Sequence, residues 1–435
     1  MSRVLFTTGP ITGHALPAVP IVRHLVAEGH EVMWYTGENF RRVVTAAGAA
    51  FAPIGEELEL GNAALRNIAG RRGMARLNKL VLNVFLKPVP AYVADLTPLF
   101  EAFRPQVVVS DHTFRASLLL AEKLGIARVA FSTGPLHLTS ADTAPSGTGL
   151  PPSSTPLGKL RNRLLYWVAR NFVFRESQRL AERIRADMGL EPLESFCADW
   201  NAFIADSYLQ LGISEFEYPR HDLPGSVEFV GAVLGDRDDE WIPPAWWQEL
   251  ADAKQSRCPV IFVTQGTVAT DPARLVLPAV SALASTGMLI VATTGGANPE
   301  EVLPVARRPW NLKLEPYIPF TEILPMTDVT ITNGGYGGVQ TALVHGVPLV
   351  VAGTTEDKLE VNARVAWSGA GISLKTDHPH PASIGAAVRK VLTDPSYRTR
   401  ARELADAYAR YPGAARAAEV IIMAAEARNQ SARAS

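Results

Sequence analysis

Residues 328–362, DVTITNGGYGGVQTALVHGVPLVVAGTTEDKLEVN, read as a buried strand, a glycine-rich turn, a helix and a second buried strand that ends in charged residues. Asp328 to Thr332 alternates and is rich in β-branched residues. Gly334, Gly335, Gly337 and Gly338 then free the backbone, and Val339 to His345 can start a helix. The unpaired N–H groups at such a helix start, together with the positive end of its dipole, suit phosphate oxygens. Gly346 and Pro348 punctuate into the apolar strand Leu349 to Ala352. That strand delivers Glu356, Asp357 and Lys358 to the carboxyl edge of a parallel sheet, where ligands of open α/β sheets bind. A phosphate cradle beside hydroxyl-binding side chains suits a diphosphate and the sugar attached to it. A glycine-rich turn alone is explained as readily by a tight strand-to-helix connection, so the rest of the chain has to decide.

The chain has 435 residues, more than one core usually holds, and two domains are the natural division. A net charge of −1, with 20% charged residues, provides no field for nucleic acid or for an anionic membrane, so small molecules are the expected partners. The two cysteines, Cys197 and Cys258, lie far apart with no His or Cys at metal-ligand spacing. That pattern fits a reducing compartment and neither a disulfide framework nor a zinc site. Ser2 runs directly into the strand Val4 to Thr7, and no stretch approaches the ~18 uninterrupted apolar residues of a membrane span. The expectation is a cytoplasmic protein without stable membrane insertion, a monomer or a homodimer.

The first half alternates strand and helix: Val4 to Thr7, a helix from about Leu16 to Glu28, Glu31 to Tyr35, then the strands Val107 to Val109 and Ala127 to Phe131. Such alternation predicts an α/β fold, a parallel sheet covered by helices on both faces. Gly61 to Pro90 carries Arg66, Arg71, Arg72, Arg76, Lys79 and Lys87 and no acidic residue, interleaved with apolar residues at helical spacing. It reads as a solvated helical face, with an apolar ligand or a membrane surface as the other options. TSADTAPSGTGLPPSSTP at 139–156 predicts a mobile loop over a cleft, and a long amphipathic helix is expected from about Leu160 to Met188. GDRDDEWIPP, at 235–244, reads as a linker. From Val260 the alternation restarts with strands Val260 to Thr264, Leu289 to Thr293, Val329 to Thr332 and Leu349 to Ala352, and a helix at Pro272 to Thr286. Two doubly wound domains facing a central cleft follow, with boundaries at 1–234 and 235–415 and a last helix, 416–435, returning to the first domain.

His14 lies in TTGPITGHALPAVP, after the first strand and just ahead of the first helix. A helix start disfavours the imidazolium form, which suits a general base; a plain hydrogen-bonding role at the helix start is the other reading. Asp111 ends its strand at the same carboxyl edge, near enough in this topology to hold the other ring nitrogen, and alternatively caps the helix that begins near Arg115. In the second half Gln265, Gly266 and Thr267 follow one strand and Thr294, Gly295 and Gly296 another, adding backbone donors at the edge where the 333–338 turn lies. Tyr317 precedes Ile318 and Pro319 in LEPYIPFTEIL, an extended segment from which a ring could stack on a nucleobase or pack in the core, with the Ile318 backbone at the base edge.

Four segments, GHALP, VVSDH, YIPFTEIL and TNGGYGGVQTALVHGVP to TTEDK, occur in the order found in family 1 glycosyltransferases of the GT-B fold, and the whole chain resembles that family of UDP- or dTDP-sugar-dependent enzymes. The resemblance implies two Rossmann-like domains, an acceptor pocket in the first and a nucleotide-sugar site in the second. By position His14 resembles the catalytic base and Asp111 its partner. Tyr317 stands where a base-stacking tryptophan is usual, Asn333 where a phosphate-contacting histidine is usual, and Gly338 and Thr341 where a serine and a ribose-binding glutamate are common. Asp357 matches a sugar-hydroxyl aspartate, while Lys358 replaces a glutamine. Ile11, Phe85, Phe131 and His137 are the acceptor-side candidates. The implied reaction is an inverting, metal-independent hexosyl transfer from a UDP- or dTDP-sugar to a hydroxyl of an apolar or phenolic small molecule, such as an antibiotic, with the nucleotide sugar as co-substrate and no other cofactor. A nucleotide-sugar epimerase or hydrolase, or a non-catalytic nucleotide-binding helper, are the alternatives.

Overall fold

The computed structural model describes residues 1–59, 73–235, 240–266 and 271–434. Thr267, part of the linker and the first half of the basic segment, with Arg66, Arg71 and Arg72, lie outside the described residues. The chain forms two compact units: Met1–Gly235 with Tyr411–Ser435, and Asp236–Arg410.

In the first unit seven strands are all parallel: β1 (Arg3–Thr7), β2 (Glu31–Thr36), β3 (Ala50–Pro53), β4 (Val107–Asp111), β5 (Ala127–Ser132), β6 (Ser207–Gln210) and β7 (Val227–Phe229). Their order is β3-β2-β1-β4-β5-β6-β7. β4 is buried along its whole length, as a strand covered on both faces must be. Side chains alternate between two cores. Val4, Phe6 and Val109 join Ile21 and Leu25 of the helix Val19–Ala27, whereas Leu5 and Val108 join Leu96 and Phe100 of the helix Val89–Phe103. The last helix, Ala414–Ala434, buries Ala417, Ala418, Val420, Ile421 and Ala425 in the first of these cores, which fixes it to this unit.

The helical run Gly73–Phe103 is, among the described residues, the one long and apolar enough by composition to cross a membrane. Its Val81, Leu86, Val89, Leu96 and Phe100 are buried in the unit's core, so part of its apolar character is used in packing.

Two expectations need correction here. The long helix is divided into Pro156–Val168, a π-helical turn Ala169–Val173 and a second helix Arg175–Asp187. The break falls at Phe174, which is buried edge-on against Phe196 at 5.2 Å, a contact that periodicity does not reveal. The Ser/Thr/Pro-rich segment 139–156 is irregular, as its composition requires, but is pinned rather than mobile. Asp222 accepts from Ser140 Oγ (2.6 Å) and the Ala141 amide (2.8 Å), and Asn162 Nδ2 donates to the Ala141 carbonyl (2.9 Å).

The second unit repeats the plan with β8 (Val260–Thr264), β9 (Leu289–Thr293), β10 (Leu312–Glu315), β11 (Val329–Thr332), β12 (Leu349–Val351) and β13 (Gly371–Ser373) in the order β10-β9-β8-β11-β12-β13, again all parallel. Counted from its own first strand, each sheet runs 3-2-1-4-5-6, and the first adds a seventh. Strand order therefore reverses at β1/β4 in one sheet and at β8/β11 in the other, and at such points the loops leaving two neighbouring strands diverge and open a crevice for ligands.

Candidate active site

At the β1/β4 reversal, Gly9 to Ile11 lead into a helical turn, Thr12–Ala15, that carries His14. The helix thus begins before Leu16, with His14 inside its first turn rather than ahead of it; the amides of His14 and Ala15 both donate to the Ile11 carbonyl (2.9 and 3.0 Å). The base of this turn is fixed by a buried chain in which Trp34 Nε1 donates to Thr8 Oγ1, and Thr8 Oγ1 to Thr36 Oγ1, each at 3.0 Å.

From β4, Asp111 meets His14: Nδ1 donates to Oδ2 at 2.8 Å. Asp111 is fully buried, and its oxygens also accept from the Thr113 amide and from Thr113 Oγ1, each at 2.9 Å. Burial pushes the carboxyl upward, but the charge of His14 and the hydrogen bonds from His112 and His14 outweigh it and hold Asp111 well below the usual carboxylate range. An anion held this way locks the ring: with Nδ1–H donated to Asp111, the neutral imidazole carries its lone pair on Nε2.

A third participant escaped the sequence reading. His112 has Nδ1 3.2 Å from Asp111 Oδ1, and its ring stacks on His14 at 5.6 Å, while His137 stacks on His112 at 6.1 Å. Asn201 Nδ2 holds the His112 carbonyl at 2.7 Å, and Ser146 lies 2.9 Å from His137 Nδ1. The adjacent VVSDH residues were the available signal, but nothing in them says which way the ring turns. His14, Asp111 and His112 bring three possible metal-ligand atoms within 4.8 Å of one another, as do Asp142, His221 and Asp222.

Ile11 and Phe85 line a pocket together with Gly9, Pro10, Val84, Val89, Tyr92, Thr113, Phe114, Arg115 and Ala116. Thr113 Oγ1, 3.4 Å from His14 Nδ1, ties this pocket to the His14–Asp111 pair. Phe131 is a correction: it is wholly buried against Phe6 at 6.2 Å, because its parity on β5 turns it, with Val129, toward the core that holds the last helix.

At the β8/β11 reversal of the second unit the groups are of another kind. Gly334 has φ +90, and a Cβ there would lie 1.8 Å from Asn362 Oδ1. Gly335, in extended conformation, is the N-cap of a helix that starts at Tyr336, three residues earlier than predicted, so Gly337 and Gly338 sit in its first turn rather than in a loop. No side chain caps this helix, and added Cβ atoms at Gly335 or Gly337 would meet nothing within 4 Å. Asn333, expected to face a phosphate, is buried and its Nδ2 donates to the Gln265 carbonyl, stitching the loops after β8 and β11 together. Gly266 (φ +79) and Gly295 (φ +69) lie side by side, a Cβ on the latter coming 3.2 Å from the Gly266 carbonyl. Thr294 Oγ1 donates to the Ala297 carbonyl, and Thr341 Oγ1 to the Gly337 carbonyl at 2.8 Å.

Tyr317 is 59% exposed, which places its ring outside the core, whereas Ile318 is fully buried. Lys358 is buried and ion-paired with Glu356, whose φ of +50 and bond from Thr355 Oγ1 (2.6 Å) fix it beside Asp357, the N-cap of the helix Lys358–Ser368. Glu356 and Lys358 thus engage each other.

Residues 281–424 match the model of the erythromycin biosynthesis protein CIII-like C-terminal domain. The chain is 42% identical over 412 residues to 4'-demethylrebeccamycin synthase of Lentzea aerocolonigenes, covering 94% of this chain and 96% of that protein. It is 38% identical to UDP-glycosyltransferase 2 of Phaeomoniella chlamydospora over 93% and 92% of the two chains. The solved structure of CalG4, the calicheamicin glycosyltransferase, superposes with a TM-score of 0.77 at 22% identity over 98% of each chain. That of the glycosyltransferase VinC in complex with dTDP does so with a TM-score of 0.69 at 20% identity over 98% and 99%. With two parallel-sheet α/β units and these relatives over nearly its full length, the chain belongs to the natural-product glycosyltransferases of the GT-B fold.

Proposed function

We propose that the enzyme transfers a hexose from a UDP- or dTDP-sugar, with inversion and without a metal, to a hydroxyl of an aromatic or otherwise apolar natural product. The hydrogen bond between His14 and the fully buried, ionised Asp111 carries this reading. His14 Nε2 takes the proton of the acceptor hydroxyl, and Asp111 stabilises the imidazolium that forms. The acceptor oxygen attacks the anomeric carbon of the α-linked donor as the bond to the diphosphate breaks, giving the β-glycoside. Charge growing on the leaving diphosphate falls to backbone N–H groups around Gly335 and Gly337 and to the positive helix end behind them, so a Lewis acid is not needed. Asp357 holds the sugar hydroxyls and Tyr317 stacks on the base. The pocket lined by Ile11, Phe85, Tyr92 and Phe114 supports an aromatic or otherwise apolar acceptor.

The test is nucleotide release from UDP- and dTDP-sugars, with and without a panel of aromatic acceptors, by the wild type and by His14→Ala. Release should depend on acceptor, persist in a chelator, and fall by about 10²–10⁴-fold in His14→Ala while nucleotide affinity stays unchanged. An unaltered rate in His14→Ala would remove the base; loss of activity on chelation would assign a metal to the His14–Asp111–His112 cluster instead.

A further inference from the structure

Arg115 is the charged residue among the pocket's lining, otherwise apolar or aromatic apart from Thr113 and Tyr92 Oη. It is 5% exposed, and its Nε and Nη1 are buried without a hydrogen-bond partner. Leaving guanidinium N–H groups unpaired in the interior is costly, and proteins seldom do so without a ligand or water to receive them. Its position adds to the imbalance, because Arg115 is the N-cap of the helix Ala116–Leu124 and so puts a cation at the positive end of the dipole. The acids near enough to feel it are otherwise engaged. Asp111 is held by His14, His112 and Thr113, and Asp199 Oδ1 accepts from the Thr139 amide at 3.1 Å. Burial moreover pushes the Asp199 carboxyl up to about 6, so burial penalises its anion relative to that of an exposed carboxylate. The same burial lowers the guanidinium's own affinity for its proton.

We propose that Arg115 is an anion subsite of the acceptor pocket, where its guanidinium receives a carboxylate, or an equivalent delocalised oxygen anion, borne by an aromatic acceptor packed against Ile11, Phe85 and Phe114. The inference rests on the reading of this pocket as the acceptor site, and names the class of acceptor: a hydroxylated aromatic acid rather than a neutral phenol. A guanidinium fork matches a carboxylate with two parallel hydrogen bonds, which a neutral phenol does not offer.

The experiment is calorimetric titration of the full-length protein, without donor and near neutral pH, with hydroxynaphthoate and with naphthol, which differ by the carboxylate. The wild type should bind hydroxynaphthoate at least about tenfold more tightly. In Arg115→Met the preference should shrink to within about twofold with naphthol affinity kept, and in Arg115→Lys, which retains charge but not the fork, it should fall by about threefold or more. Equal affinity in the wild type, or an undiminished preference in Arg115→Met, overturns the proposal. If Arg115→Met does not fold by circular dichroism, the Arg115→Lys result decides on the same threshold. Because no turnover is measured, His14→Ala should keep the full preference, so failure of the base assignment and failure of this subsite give different results.

Discussion

The two sheets reverse strand order at equivalent places and use them in opposite ways. At β1/β4 the loops deliver side chains: His14, Asp111, His112 and Thr113, gathered around a buried carboxylate. At β8/β11 they deliver backbone: Gly266, Gly334 and Gly335 ahead of an uncapped helix, with the amide side chain of Asn333 turned inward to hold two loops together. The same topology therefore supplies an ionisable pair and, separately, a set of donors whose charge is fixed. Proton transfer needs the first, while a diphosphate, already anionic over a wide pH range, needs the second.

The sharpest way to break this contrast is to neutralise the side-chain half without altering its shape. Asp111→Asn keeps the volume but presents an amide to His14 Nδ1, which favours the other tautomer and removes the anion that stabilises the imidazolium. A fall of about 10²–10⁴-fold in kcat is expected, with nucleotide affinity within about twofold of wild type. A rate near that of wild type would mean that the pair is a helix-start hydrogen bond and nothing more.

The backbone half is tested by two neighbouring glycines that are glycine for different reasons. In Gly334→Ala the new Cβ would collide with Asn362, whose Nδ2 is held by the Gly353 carbonyl at 2.9 Å, at a φ of +90 that side chains resist. Destabilisation by about 2–4 kcal/mol is expected, read as a lowered Tm with or without nucleotide. Gly335→Ala has an ordinary φ of −63 and open space for its Cβ, so its Tm should match wild type. If phosphate approaches that amide closely, however, nucleotide affinity should fall about tenfold, roughly the loss of one charge-assisted hydrogen bond. Unchanged affinity in Gly335→Ala would move the diphosphate away from this turn.

How much of this was readable beforehand follows from the kind of information each feature needs. The central strands were legible to within a residue or two because β1, β4 and β8 carry continuous apolar runs and β11 is a run of β-branched residues, and the His14–Asp111 pair was legible because parallel topology makes β1 and β4 neighbours. Phe131 was misplaced because its parity with Val129 on β5, counted along the strand, sends it to the core. Asn333 could not be read at all, since its role depends on a carbonyl 68 residues away. The stacking of His112 on His14, and the break at Phe174 made by Phe196, likewise depend on ring orientation in three dimensions.

The smallest expected effect concerns what a side-chain site entails for stability, because buried ionisable groups make the first unit sensitive to pH in a way that backbone amides do not. Asp199, fully buried beside Arg115, has its carboxyl raised by burial from 3.8 to about 6. A raised folded-state value means the protonated form is favoured on folding, so the associated stability is complete below about pH 4 and is lost as pH rises through about 6. Asp199→Asn stays neutral throughout and can still accept from the Thr139 amide. It should therefore leave stability nearly unchanged at about pH 4 and raise it by about 1–3 kcal/mol at about pH 8, seen as a Tm difference that grows with pH. A difference that shrinks or changes sign toward pH 8 would show the opposite balance. Arg115 would then stabilise the Asp199 anion by more than burial penalises it, and the guanidinium would have less need of an anion from the acceptor.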